Sequence, residues 1–276
     1  MSKKLRALDL ILQRGLIADE KEARACLMAG QVYSGSRRIA GASEMLPIDC
    51  ELHVRGLDMP FVSKGGLKLS GAIRDFDIDV TGRVCIDAGA STGGFTDCLV
   101  HAGCARVYAV DVGFGQLHGS LRQHPAVVNL EKTNISDDVL FTLDPKPDLG
   151  TVDLSYLSLR KAIPAFSAVL KGEGELLCLV KPLFEIDDAQ TRREGVIAPE
   201  QYAPLLRALC ADIERERMGA ITGLTHSRIT GNGGTIEFFI RLRLDGEEGQ
   251  LSPEALESAI EQSVSEGLKL EKFKKA

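Results

Sequence analysis

From Val84 onward the chain alternates between two hydrophobic periods. Short, nearly continuous apolar runs at 84–87, 106–110, 126–130, 149–152, 174–180, 220–226 and 235–242 predict strands buried on both faces. Between them, 94–103, 115–123, 157–170 and 199–217 read as helices; Leu157, Leu159, Ile163, Phe166 and Leu170 show the spacing. Such alternation predicts crossover units and a mostly parallel sheet covered on both sides, an α/β fold. The last two strand-like runs are joined by the glycine-rich stretch 227–234, which suits an antiparallel pair. Residues 252–275 predict a closing amphipathic helix with lysines at its end, where the helix dipole favours cations.

Ahead of Val84 the pattern changes. Leu5, Leu8, Leu12 and Leu16 share one helical face, and Gly15 breaks the run. Ala18 and Asp19 suit the cap of a second helix over Glu20–Met28, which stops at Gly30. Residues 31–35 and the alternating run 51–54 predict short strands, so the first 60 residues form a small α+β module. Residues 61–69 read as a glycine-rich basic linker entering a helix with Leu67, Ala72 and Ile73 apolar and Lys68 on its first turn.

Composition narrows the class. A chain of 276 residues suits one large domain, or a medium domain with a small one. Hydrophobic content of 44% with 26% charged residues is that of a soluble globular protein. The net charge of −6 argues against an overall polycation, but its distribution is uneven. Residues 1–38 hold eight Lys and Arg against four acids, a local basic face of the kind nucleic acid requires. The seven cysteines (26, 50, 85, 98, 104, 178 and 210) form no C-x-x-C pair and sit mostly in apolar runs. That pattern predicts reduced thiols, with neither a zinc site nor a disulfide framework. No secretory h-region follows Met1, and no window approaches a membrane span, so a cytoplasmic protein with no resident metal is expected.

Three of the predicted strands end in an acid: Asp87, Asp111 and Asp153. After the first comes Gly89-Ala90-Ser91-Thr92-Gly93-Gly94-Phe95, a glycine turn opening a helix whose backbone N–H groups face a crevice. Ordinary strand ends also favour Asp and Gly. Ser91 stands where a dinucleotide fingerprint requires glycine, and the Lys-Ser/Thr of a phosphate-binding loop is absent. The turn suits a ligand without phosphates. Asp111, about 20 residues past Gly89, has the offset of an acid that accepts ribose hydroxyl bonds. S-adenosylmethionine fits, with Asp87 reaching its amino group directly or through water. Around the same crevice the strand ends place Lys68, Asp153, Lys181 and Glu237. A lysine closing the apolar run 175–180 is expensive to bury without function, although an ion pair at a strand end also accounts for it. Glu237 fits either a site or a solvent-facing edge.

Two resemblances follow from the motifs. Arg6-x-Leu8-Asp9, Arg14-Gly15-Leu16, Lys21, Ala25, Ala29-Gly30-x-Val32 and Gly35 resemble the ribosomal S-four-type RNA-binding module, with Glu20-Lys21 in place of its Ser-Arg pair. The alternative is an N-terminal subdomain packed on the core. The second resemblance rests on Val62-Ser63-Lys64-Gly65-Gly66-x-Lys68-Leu69, Asp87-x-Gly89-x-Ser91-x-Gly93-Gly94-Phe95-Thr96, and Tyr108-Ala109-Val110-Asp111-Val112-Gly113. It continues in Asp153-x-Ser155-Tyr156, Lys181-Pro182-x-Phe184-Glu185, and Ser227-x-Ile229-x-Gly231-x-x-Gly234-x-x-Glu237-Phe238. Together these resemble the TlyA-type ribosomal RNA ribose methyltransferases of the FtsJ-like group. Leu183 replaces that group's usual glutamine, Arg228 replaces a proline and Lys64 an arginine.

The resemblance implies a seven-stranded, Rossmann-like class I methyltransferase sheet with its last strand antiparallel. It implies an RNA-binding domain at 1–60, a linker and first helix at 61–82, a methyltransferase domain at 83–250 and a C-terminal helix at 251–276. S-adenosylmethionine is the implied cofactor, held by Asp87, Ala88, Gly89, Ser91, Gly93, Gly94, Phe95, Asp111, Val112 and Asn134. Ribosomal RNA or ribosomal subunits are the implied partners, met by Lys4, Arg6, Arg14, Lys21, Arg24 and Lys64, with no membrane partner. The implied catalytic tetrad is Lys68, Asp153, Lys181 and Glu237, and Glu185 competes for the glutamate role. Methyl transfer to a ribose 2′-hydroxyl needs in-line alignment and one proton acceptor, for which Lys181 is the candidate. Lys68 nearby favours the neutral amine by repulsion, and the two carboxylates oppose that. A catalytically silent RNA-binding or assembly factor, and a membrane-active hemolysin, are the competing expectations.

Overall fold

Short apolar segments shape the first 60 residues of the structure, a computed structural model. It describes residues 4–14, 16, 17, 20–48, 50–54, 60–155, 157–170, 174–244, 246 and 248–271. The chain divides at Pro60 and Phe61 into two compact units. In the first, β1 (Lys4–Arg6) precedes α1 (Ala7–Gln13) and α2 (Glu20–Met28). Four short strands follow: β2 (Val32–Ser34), β3 (Arg37–Arg38), β4 (Met45–Pro47) and β5 (His53–Val54). β1 pairs with β4, and β2 lies between β3 and β5. Leu8, Ile11, Leu27, Val32, Ile39 and Leu46 fill the core between helices and strands.

Helix α2 matches its expected span, whereas α1 is shorter than its leucine stripe. Residues 4–6 pair with β4 instead, and α1 buries Ala7, Leu8, Leu10 and Ile11 rather than the face of Leu5, Leu12 and Leu16. The expected break at Gly15 and cap at Ala18 and Asp19 lie outside the described residues.

The second unit opens with α3 (Lys64–Asp75), capped by Ser63, whose Oγ accepts from the Gly65 amide. Lys64, Gly65 and Gly66 therefore form its first turn rather than a linker, and Lys68 sits one turn further in. Then come β6 (Val84–Ala88), α4 (Gly94–His101), β7 (Arg106–Asp111), α5 (Gly119–Arg122), β8 (Val127–Glu131), β9 (Leu149–Val152), α6 (Leu159–Val169) and β10 (Glu175–Val180). After two short helices, α7 (Pro182–Glu185) and α8 (Ala189–Glu194), the chain continues through α9 (Tyr202–Arg215), β11 (Ala220–His226), β12 (Phe238–Arg243) and α10 (Pro253–Gly267).

The seven strands form one sheet in the order β11-β12-β10-β9-β6-β7-β8. β12 runs antiparallel to both its neighbours, and the β10-β9-β6-β7-β8 pairings are parallel. This is the expected seven-stranded class I methyltransferase sheet. Residues 176–180 of β10 are at most 2% exposed, which explains their unbroken apolar run: helices cover both faces. Five described cysteines are buried, and burial pushes the thiols of Cys98 and Cys210 up to about 12.

Several boundaries move. The expected helix at 115–123 reduces to α5, because Gly115 turns at φ +74° and His118 caps the helix at Gly119. The helix expected at 199–217 starts as a 3-10 turn at Pro199–Gln201. β12 begins at Phe238, so Glu237 precedes the strand rather than lying on an edge. α10 stops at Gly267, before the lysine-rich end, of which 272–275 lie outside the described residues.

Candidate active site

The strand order reverses beside β6, which pairs with β9 on one side and β7 on the other. At such a switch point the loops leaving the carboxyl ends diverge and open a crevice. Gly89 follows β6 at φ +87°, and a Cβ there would come 2.5 Å from the Asp153 carbonyl oxygen. Only glycine admits the end of β9 so close. The Gly89 and Ala90 amides both donate to the Val110 carbonyl, at 2.9 and 3.1 Å, and the chain turns through Ser91 at φ +49°. Gly94 then starts α4 against the start of α3, where a Cβ would lie 3.0 Å from the Gly65 Cα and the Gly66 amide nitrogen. Two helix N-termini thus meet backbone to backbone beside the turn. The positive ends of their dipoles favour an anion.

Asp87 and Asp111 brace this floor. Asp87 is fully buried and accepts from Thr96 Oγ1 of α4 at 2.7 Å and Thr151 Oγ1 of β9 at 3.0 Å. Burial pushes its carboxyl up to about 7, against the pull of those threonine bonds. Asp111 accepts from the Ser91 amide at 2.8 Å and the Gly113 amide at 2.7 Å, tying two turns together.

A cleft of about 410 Å³ opens above the floor. Gly89, Ala90, Ser91, Thr92, Gly94 and Phe95 line one side; α3 adds Ser63, Lys64, Gly65 and Lys68. Asp153 and Ser155 follow β9, Lys181 to Phe184 follow β10, and Thr235 and Glu237 precede β12. Lys181 caps α7, with Pro182 fixing the turn behind it. Its Nζ lies 2.5 Å from Asp153 Oδ1 and donates to Ser155 Oγ at 3.2 Å. Lys68 is ion-paired with Glu237, and both are buried, at 5% and 6% exposure. Removing either partner would leave a buried charge uncompensated. Four elements distant in sequence thus bring all four expected tetrad residues to one cleft.

Glu185 plays a different part. It is buried behind α6, accepting from the Leu159 amide at 2.8 Å, Ser158 Oγ at 2.6 Å and Arg160 Nη1 at 2.9 Å. Its carboxylate fastens the N-terminus of α6 and does not line the cleft.

The remaining expected residues divide. Gly89, Ser91, Gly94 and Phe95 line the cleft. Asp87, Ala88, Gly93, Asp111, Val112 and Asn134 do not. Asn134 accepts from the Ser136 amide at 3.1 Å, shaping its own turn, and Val112 is 68% exposed. In the first unit Lys4, Arg6, Arg14, Lys21 and Arg24 are all exposed. Arg6 binds Asp9, and Arg24 binds Glu20. Arg14 donates to the Ile48 and Cys50 carbonyls at 2.6 and 2.7 Å, a strut within its own unit. Lys64 lines the cleft of the second unit instead. Burial, with repulsion from Lys68, pulls its ammonium below the usual lysine range. Ser155 escaped the sequence reading as a site residue, although its place two residues past Asp153 was the available signal. Arg38 lies beside Arg24 in a hollow of the first unit.

Residues 61–244 match the profile of FtsJ-like methyltransferases, two-thirds of the chain and all of the cleft. The chain belongs to the FtsJ-like methyltransferase family. Relatives extend that likeness over the rest. A Mycobacterium tuberculosis protein named 16S/23S rRNA (cytidine-2′-O)-methyltransferase TlyA is 35% identical over 97% of this chain and 100% of its own. A Bacillus subtilis protein provisionally named rRNA methyltransferase YqxC is 39% identical, covering 100% of this chain and 98% of its own. A solved Streptococcus thermophilus protein, provisionally named a hemolysin, superposes with a TM-score of 0.70 at 32% identity, covering 98% of each chain. Family membership makes the protein a methyltransferase.

Proposed function

We propose that the protein transfers the methyl group of S-adenosylmethionine to the ribose 2′-hydroxyl of a cytidine in ribosomal RNA, with Lys181 as general base. The observation that carries this reading is the pair of lysine–carboxylate contacts, Lys181 with Asp153 and Lys68 with Glu237, at the mouth of the glycine-floored cleft. The acceptor and its base identity come from the names of the relatives.

The cleft fits the donor. Glycines at 89 and 94 leave backbone where side chains would intrude, and two helix N-termini suit the carboxylate of an amino-acid moiety. Asp153 stands near for a positive centre. When bound, S-adenosylmethionine supplies a methyl group activated by its positive sulfur. Lys181 accepts the 2′-hydroxyl proton as the ribose oxygen attacks, and Asp153 and Ser155 hold the amine in line. The resulting ammonium stays paired with Asp153. Lys68, fixed by Glu237, orients the acceptor oxygen. Lys64 meets the neighbouring phosphate at the cleft entrance.

Residues 1–60 act as the RNA-binding domain in this reading, with 61–82 leading into a catalytic domain at 83–250 and residues 251–276 closing it. Lys4, Lys21, Arg24 and Arg38 would contact RNA phosphates. Arg14 would serve stability instead. An RNA substrate of this kind places the protein in the cytoplasm, and no helix among the described residues is long and apolar enough to cross a membrane.

The test is transfer of label from donor to purified ribosomal RNA and subunits, with the methylated position mapped. Label on a cytidine 2′-oxygen is expected. Label on a base, or binding of RNA without transfer, would overturn the assignment. Liposome leakage, the readout for the hemolysin name, is expected to be absent.

A further inference from the structure

The Lys68–Glu237 pair joins α3 to the connection between β11 and β12, two segments with no covalent reason to keep register. That connection is closed upon itself. The Ser227 amide donates to the Glu237 carbonyl at 2.8 Å, and the Gly231 amide to the Thr235 carbonyl at 2.8 Å. Ser227 Oγ donates to the Ile229 carbonyl at 2.8 Å. The Glu237 carboxylate lies against Gly231, where any Cβ would displace it. The loop is therefore braced within itself, and its contacts with α3 set its position relative to that helix.

Arg228 does this. Its stem crosses Gly71 of α3 so closely that a Cβ there would lie 2.6 Å from Arg228 Cγ. Its Nη2 then reaches Asp75 Oδ1 at 2.5 Å, while the other Asp75 oxygen accepts from Thr225 Oγ1 at 3.0 Å. Lys68, Gly71 and Asp75 stand at i, i+3 and i+7, on one face of the helix. Two links on that face thus tie α3 to the Glu237 loop: the Lys68–Glu237 pair at one end and Arg228–Asp75 at the other. The Arg228 side chain is 41% exposed and does not line the cleft. A half-exposed ion pair adds little stability, so its consequence is geometric.

We infer that Arg228, acting through Asp75, is a positioning residue that sets Glu237 against Lys68. The inference rests on the proposed role of that pair in methyl transfer, so one arm of its test does not use activity. Acetylation of Lys68 by acetic anhydride, read by mass spectrometry, reports how well Glu237 covers the amine. R228A and D75N are expected to raise Lys68 labelling about fivefold, R228K to restore most of the protection, and R207A, which removes the exposed Arg207–Glu257 pair between α9 and α10, to change nothing. In the activity arm, R228A lowers kcat roughly tenfold at unchanged donor KM, and adds no further loss in an E237Q background. Unchanged Lys68 labelling in both R228A and D75N, or an undiminished R228A effect in E237Q, would overturn the inference. A wild-type protein that transfers no methyl group would instead overturn the functional reading, with the labelling arm still deciding this one.

Discussion

At the floor of the cleft Asp87 and Asp111 accept hydrogen bonds from threonine hydroxyls and backbone amides packed around them, whereas at its mouth Asp153 and Glu237 meet the amines of lysines. The floor acids hold backbone in place. Their partners are threonine hydroxyls and amide N–H groups, which cannot leave without opening the fold. The mouth acids hold amines at the ends of long side chains, which in the proposed reaction meet the substrate while the backbone stays put. In the proposed reaction the floor pair is scaffold and the mouth pair the chemical set, and substitutions should show the two to be independent.

The largest effect is expected at the mouth. Lys181→Ala should lower methyl transfer by about a thousandfold, roughly 4 kcal/mol in the barrier, while donor affinity measured calorimetrically stays within a few fold. Comparable losses of turnover and donor binding would erase the distinction.

The floor should respond to pH instead. The Asp87 carboxyl rises from 3.8 to about 7 on folding, so the folded state holds the proton more tightly than the unfolded chain. Stability from this group is complete below about pH 4 and lost as pH rises through 7, by an amount on the order of 4 kcal/mol. Asp87→Asn removes the titrating group, so denaturant midpoints of variant and wild type should diverge between pH 4 and 8. Parallel curves would show that Asp87 ionises freely. At Gly89, alanine must adopt φ +87° and press on the Asp153 carbonyl, costing about 2 kcal/mol of stability and over tenfold in donor affinity. Glu185→Gln should cost about 1 kcal/mol in thermal unfolding and leave kcat unchanged, whereas Glu237→Gln should lower kcat. Equal kinetic losses in the two would return Glu185 to the reaction.

Local chemistry made the floor legible. A strand, an acid, a glycine turn and a helix follow one another at 84–101, and nothing distant is needed to read them. Asp111 shows the limit: its offset from Gly89 matched a ribose acceptor, but a carboxylate beside a turn also binds nearby amides, and the structure contains that alternative. Lys64 was placed in a linker because Gly65-Gly66 suggests one. The Ser63 cap and the contact with α4 hold those glycines in helix against their propensity. The mouth has no local signature. Lys68 and Glu237 are brought together only because β12 enters the sheet between β10 and β11, and residue spacing does not encode that insertion. Motif resemblance reached these residues where periodicity could not.

That insertion has a consequence for the protein while it is being made. β12, just past Glu237, takes an interior place in a sheet whose other six strands have already been synthesised. A nascent chain that stops short of Glu237 leaves the Lys68 ammonium to be buried without a carboxylate, at a cost of several kcal/mol. It also leaves β10 and β11 without the strand between them. A truncated product that lacks β12 would therefore be poorly folded and, on the proposed mechanism, inert.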